Sequence, residues 1–376
     1  MKRIILVAAL SVFAACSEQD VKPSDGSQTG FALSFFRNVD ALADTDEKVV
    51  VSPYSAGMVL SMLEAGAEGE TKVELDNALN GASFGKDGLE SDGNTVVESS
   101  NSVWISDDFS IRNRYVSLLE KDFGAFITTQ NFSEPATVQA INNWCSEHTS
   151  GKITDIIDRI GPDMVMVIVN ALYFNAPWAS EFDKNVTREG VFHGTSGDAS
   201  VKMMSRKATY NYAEYQGAKM IEIPYQGGKY AMYVVLPPSG MPAGTILQYI
   251  GENQYDAAMS LLQPKEVALT MPVFRIETSM VLNQTLERMG IRTAFSSAAD
   301  FKGISVMGPL RLDLVKQKCY IDVSEEGTEA AAVTSAQIRM TSVRPVLSMN
   351  VDRPFLFVIA DVDNKDILFA GKIVNL

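Results

Sequence analysis

The chain has 376 residues, 46% hydrophobic and 21% charged, which is enough apolar material for one large core. Its net charge is −14 and no run of Lys or Arg interrupts the acidic balance, which argues against a nucleic-acid partner. Simple solubility accounts for that charge.

Lys2 and Arg3 precede a short apolar run over residues 4–14, too short to span a bilayer and flanked like a signal peptide. The run ends Phe13-Ala14-Ala15-Cys16, which resembles a bacterial lipobox, with Phe13 where Leu is usual. Residues 1–15 are therefore expected to be a cleaved signal. Cys16 is expected to carry lipid and residues 16–29 to form a polar tether. Glu18 and Asp20 faintly resemble the surface-export signals of some Gram-negative lipoproteins. The implied location is a Gram-negative outer membrane, on its periplasmic side or at the cell surface. Cys145 and Cys319 then remain, one on a helical pattern and one on a strand pattern. They read as separate buried thiols rather than a disulfide.

The body alternates helices and strands without repeats. Residues 31–43 have apolar positions at helical spacing. Residues 49–51 form a short strand, and Ser52-Pro53-Tyr54-Ser55 opens a helix through Ala65. Thr71-Lys72-Val73-Glu74 reads as a capping box starting another helix. Residues 81–93 are a glycine-rich loop, 102–106 a strand, and 115–123 and 137–147 helices. Residues 164–174 are continuously apolar, as in a strand buried on both faces. Strands then dominate, at 220–223, 230–236, 267–276, 311–323, 355–362 and 367–374. Asp363-Asn364-Lys365 marks a hairpin between the last two. Helices early and strands late argue α+β in a single domain over residues 30–376.

Residues 322–345 are the unusual stretch. Two acids and a glycine, Glu325-Glu326-Gly327, lead into Thr328, Glu329, Ala330, Ala331 and Ala332. Period-two alternation places Thr328, Ala330, Ala332, Thr334, Ala336 and Ile338 on one face, small and uncharged up to Ile338. Glu329, Ala331, Val333, Ser335 and Gln337 take the other. One face could enter a packed sheet while the other stays in water. The composition suits an alanine-rich linker or short helix equally well.

Catalytic constellations mostly fail. Gly81-Ala82-Ser83-Phe84-Gly85 matches the nucleophile-elbow pattern, but a helical run precedes it, where that motif needs a buried strand. His148 and His193 are the only candidate bases, and without neighbouring Cys or paired carboxylates they make a poor zinc site. Gly227-Gly228-Lys229 lacks the spacing and hydroxyl of a phosphate loop and reads as a turn. No metal and no cofactor is called for.

From about residue 30 to the end, ordered blocks of the chain resemble the serpin family. Val51-Ser52-Pro53-Tyr54-Ser55 is similar to its shutter segment, and Asn142 with Thr149-Ser150-Gly151-Lys152-Ile153 to its helix-end signature. Val169-Asn170-Ala171-Leu172-Tyr173-Phe174 and Trp178 resemble its central strand and breach tryptophan. Residues 201–204, 235–237, 271–274, 352–357 and 368–372 fall in the expected order. Residues 325–332 are close to the inhibitory hinge. One departure stands out: Gln317 occupies the shutter position where the family usually has histidine. An amide has donors and an acceptor, so it can bridge to Ser52 or Asn170.

The resemblance implies a serpin fold, helices around a large central sheet with smaller sheets and an exposed reactive loop. It implies no enzyme but a suicide-substrate inhibitor of serine or cysteine proteases, a monomer forming a 1:1 covalent complex. After cleavage the loop would enter the main sheet as an extra strand. Family spacing puts the scissile bond at Thr341–Ser342, with Arg339, Met340, Val343 and Arg344 as alternates. Thr, Val or Met there fits elastase-like or cathepsin-like targets, and the arginines leave a trypsin-like one open. Thr328 would be the first side chain to enter the sheet. A non-inhibitory binding or carrier protein of the same fold usually has a spoiled hinge, whereas this hinge is intact. A Ser hydrolase keeps only the weak motif above.

Overall fold

The structure is a computed structural model; it describes residues 27–86, 89, 91, 95–161, 163–250, 252–307, 310–328 and 346–376. Cys16, Glu329 and the rest of residues 329–345, with the expected scissile bond, lie outside them.

Helix α1 (Gln28–Asp40) leads to strand β1 (Val49–Val51), then to α2 (Pro53–Gly66) and α3 (Gly69–Leu79). Strand β2 (Val96–Ser106), α4 (Asn113–Leu118), β3 (Phe126–Gln130), α5 (Pro135–Glu147) and β4 (Met166–Pro177) follow. Next come β5 (Arg188–Gly194), β6 (Gly197–Tyr215), β7 (Ala218–Pro224), β8 (Tyr230–Leu236), α6 (Glu252–Ser260), β9 (Gln263–Pro272), β10 (Phe274–Val281) and α7 (Asn283–Arg288). The chain closes with β11 (Leu314–Val323), β12 (Gly327–Thr328), β13 (Leu347–Asn350), β14 (Phe355–Asp361) and β15 (Ile367–Ile373).

These strands form two sheets. One runs β1-β15-β14-β8-β7-β6-β9-β13, with β5 on the side of β6; the other runs β10-β11-β12-β4-β2-β3. The α+β architecture read from the sequence is the one observed. Between the sheets lies an aromatic core including Phe174, Tyr225, Tyr230, Phe274, Phe357 and Phe369. On the opposite face of the six-stranded sheet, Ile141 and Cys145 of α5 pack with Ile153, Ile156 and Ile157 against Val167, Val169 and Ala171 of β4. Cys145 and Cys319 are free and buried, and burial pushes both thiols up to about 12, so neither is a reactive thiolate at neutral pH.

Local signals placed most elements and misplaced some boundaries. Thr71 does not open a helix; α3 starts earlier, after Glu68. The two polar residues of the expected capping box are spent on tertiary partners. The Thr71 hydroxyl accepts from the Asp300 N–H, and the Glu74 carboxylate accepts from the Arg292 and Thr293 N–H groups. The expected strand over 267–276 is two strands. Pro272 ends β9 in one sheet, and β10 begins at Phe274 in the other. The Val273 N–H between them donates to the Lys202 carbonyl of β6, one register step beyond the Met203↔Pro272 pair, before the chain crosses to the other sheet. Strand β2 begins six residues before the expected Ser102, its first half too polar for the pattern to register. The expected helix over 115–123 breaks after Leu118 into a wider π-type turn over Leu119–Phe123.

Candidate functional site: shutter, breach and hinge

The site lies where β11 and β4 part. They pair directly and in parallel from Leu314↔Val167 to Lys318↔Ala171. Above that point β12 sits between them, antiparallel to both, with Val323↔Thr328 on one side and Gly327↔Pro177 and Thr328↔Ala176 on the other. Direct pairing over Leu314–Lys318 leaves no room there for an inserted strand, so the sheet is closed below the hinge.

Shutter residues meet at the lower end. Ser52 caps α2, its hydroxyl accepting from the Ser55 N–H at 3.2 Å. The Gln317 amide closes on the backbone of the same residue: Oε1 accepts from the Ser52 N–H at 3.0 Å, and Nε2 donates to the Ser52 carbonyl at 2.8 Å. Gln317 thus acts as a strand-like partner to the N–H and carbonyl of one residue. Asn170 faces Gln317 across the β4–β11 ladder but bonds elsewhere, donating to Asn101 Oδ1 on β2 at 2.5 Å. Asn170 Oδ1 and Ser55 Oγ are buried without a hydrogen-bond partner.

At the upper end the hinge is held by contacts that sequence reading did not anticipate. The Trp178 indole N–H donates to the Ser324 carbonyl and its backbone N–H to the Glu326 carbonyl, both at 2.9 Å. Phe182 N–H donates to the Glu325 carbonyl at 2.8 Å, and the Thr187 hydroxyl to the Glu325 carboxylate at 2.8 Å. Lys184 pairs with Glu326. Tyr225 stacks on Trp178 at 4.6 Å, and its hydroxyl meets that of Thr328 at 2.7 Å. Burial pushes the Tyr225 phenol far above its ordinary pKa, so it stays neutral. No spacing in the sequence links residue 225 to residue 328.

Thr328 itself corrects an expectation. Alternation made it the first side chain to enter the sheet; in the structure it is already there, 1% exposed. Gly327 shows why that position holds glycine: a Cβ would lie 2.2 Å from the Ala176 carbonyl oxygen. The remaining candidates are bound locally. His148 is stacked on Trp144 with Nδ1 against the Trp144 carbonyl, and His193 Nδ1 meets Asp198. Ser83 follows helix α3 rather than a strand, so the nucleophile-elbow context is absent.

Residues 26–376 match the family model of serpins, described as serine protease inhibitors. The chain belongs to the serpin family. It is 32% identical to a serpin-like protein of Methanosarcina acetivorans, over 95% of this chain and 86% of that one. It is 30% identical to a protein of Cyanea capillata named serine protease inhibitor, over 92% and 96% of the two chains. The structure of the thermophilic serpin tengpin in its native state superposes with a TM-score of 0.84 at 27% identity, covering 93% of each chain. The fold of this serpin is therefore the family fold, and its sequence departure at Gln317 sits inside an otherwise regular frame.

Proposed function

We propose that this serpin is an irreversible suicide-substrate inhibitor of serine proteases. The protease hydroxyl attacks the Thr341 carbonyl, the Ser342 amine leaves, and an acyl-enzyme ester forms. The freed segment then runs down between β11 and β4, carrying the protease with it before water can hydrolyse the ester. The observation that carries this reading is β12. Extending its register down both neighbours puts Thr334 opposite Asn170 and Gln317 together, and those two residues already face each other. Continued along β4, the register ends with Ile338 opposite Met166, so Thr341 falls three residues beyond the strand. The residues that would face the core are the small set beginning at Thr328. Burial of that face and the new ladder hydrogen bonds supply the driving force.

Incubation with elastase-like, cathepsin-like and trypsin-like proteases should give a denaturant-stable adduct with at least one of them. Mass spectrometry of the released peptide should then begin it at Ser342. A cut outside residues 338–345 counts against the register, and turnover without any adduct counts against inhibition.

We propose separately that lipid on Cys16 holds the protein at a bacterial membrane, a reading supported by the charged start, the short apolar run and Ala14-Ala15-Cys16 of the sequence. Wild type should partition into the detergent phase on phase separation, and Cys16→Ala into the aqueous phase. Identical partitioning of the two would remove the anchor.

A further inference from the structure

Strand β13 begins at Leu347, opposite Val267, but its parallel neighbour β9 begins four residues earlier, at Gln263. On its other flank β9 is paired with β6 from that first residue, Tyr212↔Gln263. Among the described residues nothing pairs with the β13 flank over residues 263–266, and all four of them are exposed. A cavity of about 380 Å³ opens at this end, lined by Leu261, Gln263, Lys265, Tyr212, Glu214 and Leu347. Its polar lining is engaged with itself. The Tyr212 hydroxyl donates to the Glu214 carboxylate at 2.7 Å, and the Lys265 ammonium stands 5.9 Å over the Tyr212 ring. Leu261 and Leu347 are 46% and 37% exposed, so the unsatisfied part of the lining is apolar.

The chain just ahead of β13 reads Ser342-Val343-Arg344-Pro345-Val346. Counting the β13 register back sets Val343 beside Gln263 and Pro345 beside Lys265. Period two gives Val343 and Pro345 the face of Leu347 and Met349, which is the cavity side. It gives Ser342 and Arg344 the outer face, with the exposed Ser348 and Asn350. Pro345 lacks an N–H, a loss that an edge strand tolerates. While the loop is intact these residues flank the bond that a protease must grip, and the protease cleft claims them. Once that bond is cut they have a free end. Annealing along β9 then adds ladder hydrogen bonds and buries the Val343 side chain.

We propose that this cavity is a seat for Val343, filled once the bond before Ser342 is cut, and that filling it draws the new Ser342 amine away from the acyl-enzyme. The inference rests on the suicide-substrate reading above. Acylation can run backwards: the Ser342 amine attacks the ester carbonyl, the protease hydroxyl leaves, and the Thr341–Ser342 peptide bond reforms. An amine held at the β9 edge is out of reach of that ester, which is left to loop insertion or to water. Leu261 is a positioning residue for this step, acting through Val343 rather than on the protease.

The test uses the full chain carrying Cys16→Ala, whose remaining thiols, Cys145 and Cys319, are buried. Val343→Cys and, separately, Arg344→Cys are reacted with a thiol reagent before and after a protease has cut the Thr341–Ser342 bond. Cutting suffices, whether or not an adduct forms. On cleavage the Val343→Cys thiol should react about ten-fold more slowly, the scale of one buried apolar side chain, while that of Arg344→Cys stays within about two-fold. Adding Leu261→Asp, a change at an exposed position, should restore fast labelling of Val343→Cys. Equal rates before and after cleavage, or equal slowing at both positions, overturn the seat. Leu261→Asp alone leaves the loop sequence untouched and should slow adduct formation at saturating protease about three-fold. An unchanged rate overturns the withdrawal of the amine. No adduct with any protease, beside a Val343→Cys thiol that slows on cleavage, overturns the inhibition reading and leaves the seat standing.

Discussion

Thr328→Arg should turn the protein from an inhibitor into a substrate. The Thr328 side chain lies inside the sheet, its hydroxyl 2.7 Å from that of Tyr225, in a region filled by Trp178, Phe182 and Phe174. The nearby hinge carboxylates are already engaged, Glu325 by Thr187 and Glu326 by Lys184. A guanidinium there would be buried without a partner, at a cost of several kcal/mol even after relaxation. Each ~1.4 kcal/mol is a factor of about ten in a kinetic race. The arginine is therefore expelled from the sheet in the uncleaved protein and has to be buried anew when the cleaved loop inserts, so deacylation outruns insertion, while cleavage itself persists because the scissile bond is untouched. Glu329→Arg is the control. By alternation Glu329 takes the opposite, solvent-tolerant face, so the same charge change should have little effect. The comparison is the stoichiometry of inhibition and the yield of covalent adduct against one susceptible protease. Equal losses in the two variants, or none in Thr328→Arg, would sink the register on which the mechanism rests.

Gln317→Leu should produce the largest loss of native stability at the shutter. It removes the partner of the buried Ser52 N–H and one of the two donors to the Ser52 carbonyl, which keeps the Ala56 N–H. A buried N–H left unpaired costs about 1–3 kcal/mol. Gln317→His, which restores the family's usual residue, should fall between. A neutral imidazole has one donor and one acceptor on different sides of its ring, so it cannot close both bonds on one residue as the amide does. Chemical denaturation midpoints should rank Gln317 above His and His above Leu. A Leu variant as stable as wild type would mean that the amide is incidental to holding the sheet.

Much of the architecture was legible because it is written locally. A continuous apolar run announced β4, and alternation from Thr328 onwards announced a segment able to live as a buried strand. The acid-acid-glycine lead, the small face and the ordered blocks around them sufficed for the family. Periodicity fixes which face a side chain takes, and that information is carried by near neighbours.

Partners are another matter, since they depend on register set by strands far apart in the chain. The sequence allowed Gln317 to reach Ser52 or Asn170; only the packed sheet decided for the Ser52 peptide, 265 residues away. Thr71 and Glu74 had the look of a helix start, yet the approach of residues 292–300 claimed both. The break at Val273 was invisible because both sides are apolar, and what divides them is a change of sheet. That Thr328 is already docked, and that β4 and β11 pair directly below it, follows from tertiary pairing alone. Local pattern determined what the hinge can become. The three-dimensional register determined how far it has already gone and what holds the way closed.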